Sequence, residues 1–184
     1  MKAFYSFKKK LYGGVWEIKS NIPYEYIRSD YLNMTSQKLL DLPFQIKHGK
    51  KQRDIIYYYG DISIEFLSQN IFDCLSKFCD VSSFLYPIHI NEVNDIYYFI
   101  HDLPEFLYIN RDKDEEIHCF LLQDKMPNFF TLENSRFKII TPEIKDALHK
   151  AKITNIEFKP MYGVSSMEEY YELQRLGCLC RKKN

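Results

Sequence analysis

Hydrophobic and polar positions alternate along most of this chain, and the period changes at a few defined places. Ile55-Ile56-Tyr57-Tyr58-Tyr59 and Ile62-Ser63-Ile64-Glu65-Phe66 are rich in β-branched and aromatic residues and predict two strands, with Gly60-Asp61 as a tight turn or bulge between them. The period then shifts to that of a helix. Ser68 stands as N-cap, and Ile71, Cys74, Leu75, Phe78 and Cys79 form one apolar stripe to about residue 79. Phe84–Ile90 and Ile96–Ile100 return to strand character, joined by the hairpin loop 91–95. The same succession recurs later: Arg136–Ile140 as an alternating strand, Thr141 as cap, Pro142 at the favoured first helical position, and Ile144, Ala147, Leu148 and Ala151 as the stripe. Ile156-Glu157-Phe158 closes that second copy.

The two copies align without a gap. Ile71, Asp73, Leu75, Lys77 and Pro87 are matched by Ile144, Asp146, Leu148, Lys150 and Pro160. Residues 54–91 and 128–161 therefore read as internally similar units. The rest of the chain adds an extended N-terminal stretch (1–19, turning at Gly13-Gly14), a polar region at 20–53 with a short helix expected at 35–41, and a strand expected over 103–110. A further strand is expected over 117–122. At the C-terminal end, Ser165 and Glu168 fit a capping box that opens a helix ending at Gly177. Residues 178–184 read as a flexible tail. The expected fold is α+β: a mixed, largely antiparallel sheet with three or four short helices, containing two related strand–helix–strand units in a single domain, 1–184.

Composition narrows the function classes. Hydrophobic residues make up 46% of the 184, enough for a packed core. Twenty-five basic residues balance 25 acidic ones, so the net basic field on which nucleic-acid binding relies is missing. Lys8–Lys10 and His48–Arg53 read as solvated loop charge. No apolar run is long enough to cross a bilayer, and the N-terminus lacks the layout of a secretory signal. A cytoplasmic protein without nucleic-acid or membrane partners is expected, with its five cysteines as thiols.

Candidate chemistry is sparse. Cys178-x-Cys180 is a single terminal knuckle, His118-Cys119 offers two more donors, and Cys74 and Cys79 lie on the apolar helix stripe, so no metal site is expected. There is no Gly-x-Ser-x-Gly elbow and no glycine-rich phosphate cradle. His89, His101 and His118 are the residues on which an enzyme with a Tyr/His-lined pocket would depend. Asp102 beside His101 is expected to point to the opposite face of a strand. The acidic run Asp112, Asp114, Glu115 and Glu116 is a candidate partner-binding surface for a basic protein.

The order of pieces supplies the functional expectation. Asp54-Ile55-Ile56, Phe66-Leu67-Ser68, Tyr86-Pro87-Ile88 and Tyr97-Tyr98-Phe99 in the first half are followed by Phe129–Leu132, Ile140–Leu148 and Ile153–Pro160. Together they resemble the immunity proteins of bacterial polymorphic toxin systems, similar to immunity protein families 11 and 43 and formerly a domain of unknown function. The likeness spans residues 54–163. Where that family often carries Thr-Gly before the last strand, this chain has Thr154-Asn155, and asparagine also tolerates the left-handed conformation. The resemblance implies a non-catalytic cytoplasmic protein, without cofactors, that binds and neutralises a cognate toxin. A small enzyme and a host- or partner-interaction module using the helix at 165–177 are the other expectations.

Overall fold

The computed structural model describes residues 2–10, 13–21, 43–109, 118–133, 135 and 137–176. The helix expected at 35–41, the acidic run 112–116 and the tail 178–184 lie outside the described residues. The chain forms two compact units: Met1–Lys8, Leu103–Lys150 and Ile156–Asn184 make the first, Lys9–Asp102 and Ala151–Asn155 the second. Where one sheet is expected from the sequence, there are two mixed six-stranded sheets. The α+β class holds.

The second unit contains β2 (Glu17–Ser20), β3 (Phe44–His48), β4 (Ile55–Tyr58), β5 (Asp61–Ser68), β6 (Leu85–Ile88) and β7 (Tyr97–Ile100). Its sheet order is β3-β2-β4-β5-β7-β6. The turn between β4 and β5 is Tyr59-Gly60, one residue earlier than the expected Gly60-Asp61, with Gly60 at φ 87° and a register shift between Tyr57 and Tyr58. Helix α1 (Gln69–Leu75) follows β5 directly and buries Ile71, Cys74 and Leu75. A 3-10 turn at Val81–Ser83 leads into β6. The sheet closes on itself at one corner: Phe44 of β3 bridges Ile90, just beyond β6, and the Asn91 amide donates to the Phe44 carbonyl at 2.8 Å. Phe44, Phe66 and Phe99 meet inside this curl, with ring centroids 5.5 and 6.0 Å apart.

The first unit contains β8 (Glu105–Phe106), β9 (His118–Leu121), β10 (Phe129–Leu132), β11 (Lys138–Ile140) and β12 (Ile156–Val164). Its sheet takes in the N-terminal strand β1 (Lys2–Lys9) as well, in the order β8-β10-β11-β1-β12-β9. This sheet curls too, since Tyr108, beyond β8, bridges Phe120 of β9 and the Ile109 amide donates to the Cys119 carbonyl at 3.1 Å. Phe4, Phe106, Phe120, Phe130, Leu132, Ile139 and Met161 fill the inside. Helix α2 (Pro142–Lys150) follows β11, and α3 (Met167–Arg175) follows β12.

Strand neighbours correspond closely in the two sheets. β4 pairs with β5 through Ile55↔Leu67 and Ile56↔Phe66, as β10 pairs with β11 through Phe129↔Ile140 and Phe130↔Ile139. Glu17 and Ile18 lie parallel beside Tyr57 and Tyr58; Glu105 and Phe106 lie parallel beside Thr131 and Leu132. The bonds agree as well. Tyr57 and Tyr59 amides donate to Trp16 and Ile18 carbonyls, and Thr131 and Glu133 amides donate to Pro104 and Phe106 carbonyls. On the far side, β5 pairs antiparallel with β7 (Leu67↔Tyr98) and β11 with β1 (Ile140↔Tyr5).

The helices repeat the correspondence with different chemistry. Phe72 of α1 stacks on Tyr98 at 4.2 Å, whereas Lys145 of α2 places its Nζ 4.1 Å from the Tyr5 ring centroid. The sequence alignment matches Phe72 with Lys145. A ring stack therefore occupies one position and a cation–π contact the other.

Helix α3 begins one residue later than the sequence predicts. Ser166, not Ser165, is the N-cap, accepting from the Glu169 amide, while the Glu169 carboxylate accepts from the Ser165 amide at 2.6 Å. The box is thus Ser166 with Glu169, because Ser165 still belongs to the turn that ends β12. Gly177, its expected stop, lies outside the described residues.

Candidate functional site

Asp54 immediately precedes β4, and its carboxylate gathers four donors. Oδ1 accepts from Ser68 Oγ at 2.7 Å and Asn70 Nδ2 at 3.3 Å. Oδ2 accepts from the Thr154 amide at 2.7 Å and Thr154 Oγ1 at 2.6 Å. The side chain is 8% exposed. Burial pushes the carboxyl up, but the bonds from Thr154, Ser68 and Asn70 outweigh it and hold Asp54 below the usual carboxylate range. Ser68 is therefore an N-cap by backbone geometry only: it makes no side-chain cap bond, because its hydroxyl serves Asp54.

Asn155 extends this clasp. It takes φ 48°, the left-handed conformation that the sequence allows there, and its amide group mimics a strand: Nδ2 donates to the Ile55 carbonyl at 2.7 Å and Oδ1 accepts from the Ile55 amide at 3.1 Å. Glycine at this place would adopt the backbone but could make neither bond.

Beside the clasp lies a cleft of about 240 Å³ lined by Asp54, Ser68, Asn70, Asp95, Tyr97 and Thr154 among others. Tyr97 donates to the Arg53 carbonyl at 2.8 Å. Burial, with the charges of Asp95 and Asp54 adding to it, pushes its hydroxyl up to about 12. Gln52 and Asp95, joined by a 2.7 Å hydrogen bond, also line a neighbouring groove of about 450 Å³. Trp16, Ile46, Asn91, Glu92 and Val93 form much of its wall. Ile46 and Ile96 are each 37% exposed there and beside the cleft. These concave surfaces combine residues of β3, the hairpin loop and the stretch before β4, none of which carries a motif; only the β-rich pattern around them was legible.

The residues singled out from the sequence are dispersed. His89 is exposed. His101 and Asp102, expected to point apart, are in contact instead: Nδ1 and Oδ2 lie 2.5 Å apart, because Asp102 follows the end of β7 with φ 54° and so escapes strand alternation. The Asp102 side chain is 68% exposed while that of His101 is 12% exposed, so the pair joins a largely buried imidazole to a solvent-facing carboxylate. His118, in the first unit, is hydrogen-bonded through Nδ1 to the Tyr108 hydroxyl at 2.5 Å and lies 5.0 Å from the Phe137 ring. Cys74 is buried and Cys79 half-buried, and burial pushes both thiols up, away from the reactive thiolate. Among the described residues no three His, Cys, Asp or Glu side chains gather as a metal site. On α3, Tyr170 is buried with Cys119 and Val164, and Leu173 is half-buried against them. Tyr171 and Leu176 are 60% and 63% exposed. The candidate partner-binding residues Asp112, Asp114, Glu115 and Glu116 lie outside the described residues, as do Cys178 and Cys180.

No protein-family model matches this chain, and no curated protein matches it. Among the described residues no helix is long and apolar enough to cross a membrane.

Proposed function

We propose that this chain is a toxin-neutralising binding protein, non-catalytic and cytoplasmic, built from two copies of one strand–helix–strand plan. The matched pairings around β4–β5–α1 and β10–β11–α2 support the internal duplication, down to the equivalent contacts Phe72–Tyr98 and Lys145–Tyr5. The segments that resemble the immunity proteins are those that form these two cores, including Thr154-Asn155 in its left-handed turn.

The observation that carries a binding role is the state of Asp54 and Tyr97, the two buried ionisable groups at the cleft. A general base needs a free lone pair and a pKa near the working pH. Asp54 already accepts four hydrogen bonds, and Tyr97 keeps its proton up to about 12. Both groups hold structure. What remains accessible is a polar, partly apolar surface around Trp16 and Ile46, with an aromatic side chain of the kind protein interfaces favour.

The test is co-expression with the toxic product of an adjacent gene, scored by growth and by recovery of a stoichiometric complex. Rescue with a one-to-one complex is expected. Toxicity that persists while the chain accumulates in soluble form would retire the reading.

A further inference from the structure

Among the described residues the second sheet closes at its Phe44–Ile90 corner. Beyond that bridge, β3 continues through Gln45 and Ile46 while the other wall runs on through Asn91–Asp95, and the groove of about 450 Å³ occupies the gap between them. The direction of the backbone groups along this seam follows from the pairing. The Ile18 carbonyl accepts from the Tyr59 amide on the far side of β2, at 2.8 Å. Ile18 and its partner Ile46 are therefore a non-hydrogen-bonded pair. The amide and carbonyl of Ile46 consequently turn away from β2, toward the side where the Asn91 amide already holds the Phe44 carbonyl.

The lining has a definite charge. Among the described residues it carries two carboxylates, Glu92 and Asp95, and no cation; Trp16, Ile46 and Val93 supply its apolar part. Glu92 and Asp95 are both exposed, and Asp95 engages Gln52 through Oδ2. An open strand edge offers main-chain hydrogen bonds to an added strand, and flanking side chains then select what it carries. An indole beside two carboxylates suits a guanidinium or ammonium group on an aliphatic stem.

We propose that this seam takes an extended segment of a partner protein, paired through its backbone to Ile46, with an arginine or lysine side chain laid across Trp16 toward Glu92 and Asp95. The proposal rests on the toxin-binding reading in one respect, that the segment belongs to the toxin.

Trp16 is the single tryptophan of the chain, so its fluorescence reports occupancy directly. The full chain is titrated with a capped pentapeptide of alternating valine and arginine, and with its valine–glutamate counterpart. The arginine peptide is expected to give a saturable emission change that weakens at raised salt. The glutamate peptide is expected to give none. In the double variant E92Q/D95N, whose circular dichroism should match that of the parent chain, affinity for the arginine peptide falls about tenfold, the scale of losing charge complementarity at an interface. Equal responses to the two peptides, no response in the folded parent chain, or unchanged affinity in E92Q/D95N would each overturn the proposal. Co-expression separates the two levels. If E92K/D95K neutralises the toxin as fully as the parent chain, the seam is wrong and the toxin reading stands. If the parent chain fails to neutralise yet binds the arginine peptide through Glu92 and Asp95, the toxin reading falls and the seam stands.

Discussion

In both sheets a strand, a helix and a second strand leave one strand's width between them, and the two units fill that place from opposite directions along the chain. In the second unit it is filled by β7, which follows β6 through a hairpin. In the first it is filled by β1, the N-terminal strand, whose Tyr5 pairs with Ile140. The position next to the central strand is occupied by tyrosine in each case, Tyr98 and Tyr5, and the helix side chain above it differs, Phe72 and Lys145. A fold position is thus defined by what it must cover, while the route by which the chain reaches it is free. The second difference is at the head of the helix: Asp54 saturates its carboxylate on Ser68, Asn70 and Thr154, and the residue that precedes β10 is Asn128.

The largest effect is expected inside the curls. Phe130 meets Phe4, Phe106 and Phe120 edge-on, at 5.7, 5.0 and 5.3 Å. Phe130→Ala should cost about 3–5 kcal/mol, read as a fall in urea midpoint; a loss below about 1 kcal/mol would contradict a closed aromatic interior.

Next comes the clasp. Asp54→Ala removes the acceptor of four hydrogen bonds and should cost about 3 kcal/mol at neutral pH, measured by chemical denaturation. Because the folded carboxyl lies below its unfolded value of about 3.9, its contribution is complete above that pH and is lost as the pH falls through the folded pKa. The gap between parent and Asp54→Ala should therefore narrow toward the acid end; a gap that stays constant down to about pH 2 would show that the charge is irrelevant.

The matched helix positions give a smaller, sharper contrast. Phe72→Ala should cost about 2 kcal/mol through lost stacking and burial, and Lys145→Ala about 0.5 kcal/mol through the cation–π contact. Thermal denaturation of the two variants side by side checks the order, and a larger loss for Lys145→Ala would break the equivalence. Smallest and most local is the cap of α3. Ser166→Ala should cost about 1 kcal/mol, and Ser165→Ala, which leaves its backbone amide on Glu169, close to nothing; the reverse order would restore the box one residue earlier.

Periodicity made the local elements legible. The strands at 55–58, 61–68, 97–100 and 118–121, and the helices after Ser68 and Thr141, follow from alternation, apolar stripes and caps, while the C-terminal helix starts one residue after its expected cap Ser165. Two stretches came out differently: β3 (Phe44–His48) lies in the region that reads as polar and irregular, and the strand expected over 103–110 reduces to Glu105–Phe106 plus the Tyr108 bridge. The sites were less legible. Asp54 looked like an ordinary strand-opening residue, since its chief partner, Thr154, lies far along the chain and no local pattern joins them. The His101–Asp102 contact was hidden by the assumption of strand alternation, which ends where Asp102 takes a positive φ.

Short-range information in the amino-acid order thus specified which segments extend and which coil into helices. It did so because apolar period, capping hydroxyls and Gly60 act within a few residues of themselves. Partner choice among the strands was left to the tertiary structure. Whether β1 or a hairpin neighbour fills a sheet, whether one sheet or two result, and whether a groove forms beside Ile46 all depend on pairings between distant residues. Such pairings are selected by how completely the whole chain can bury its aromatic side chains and satisfy its backbone, a condition that no single segment carries.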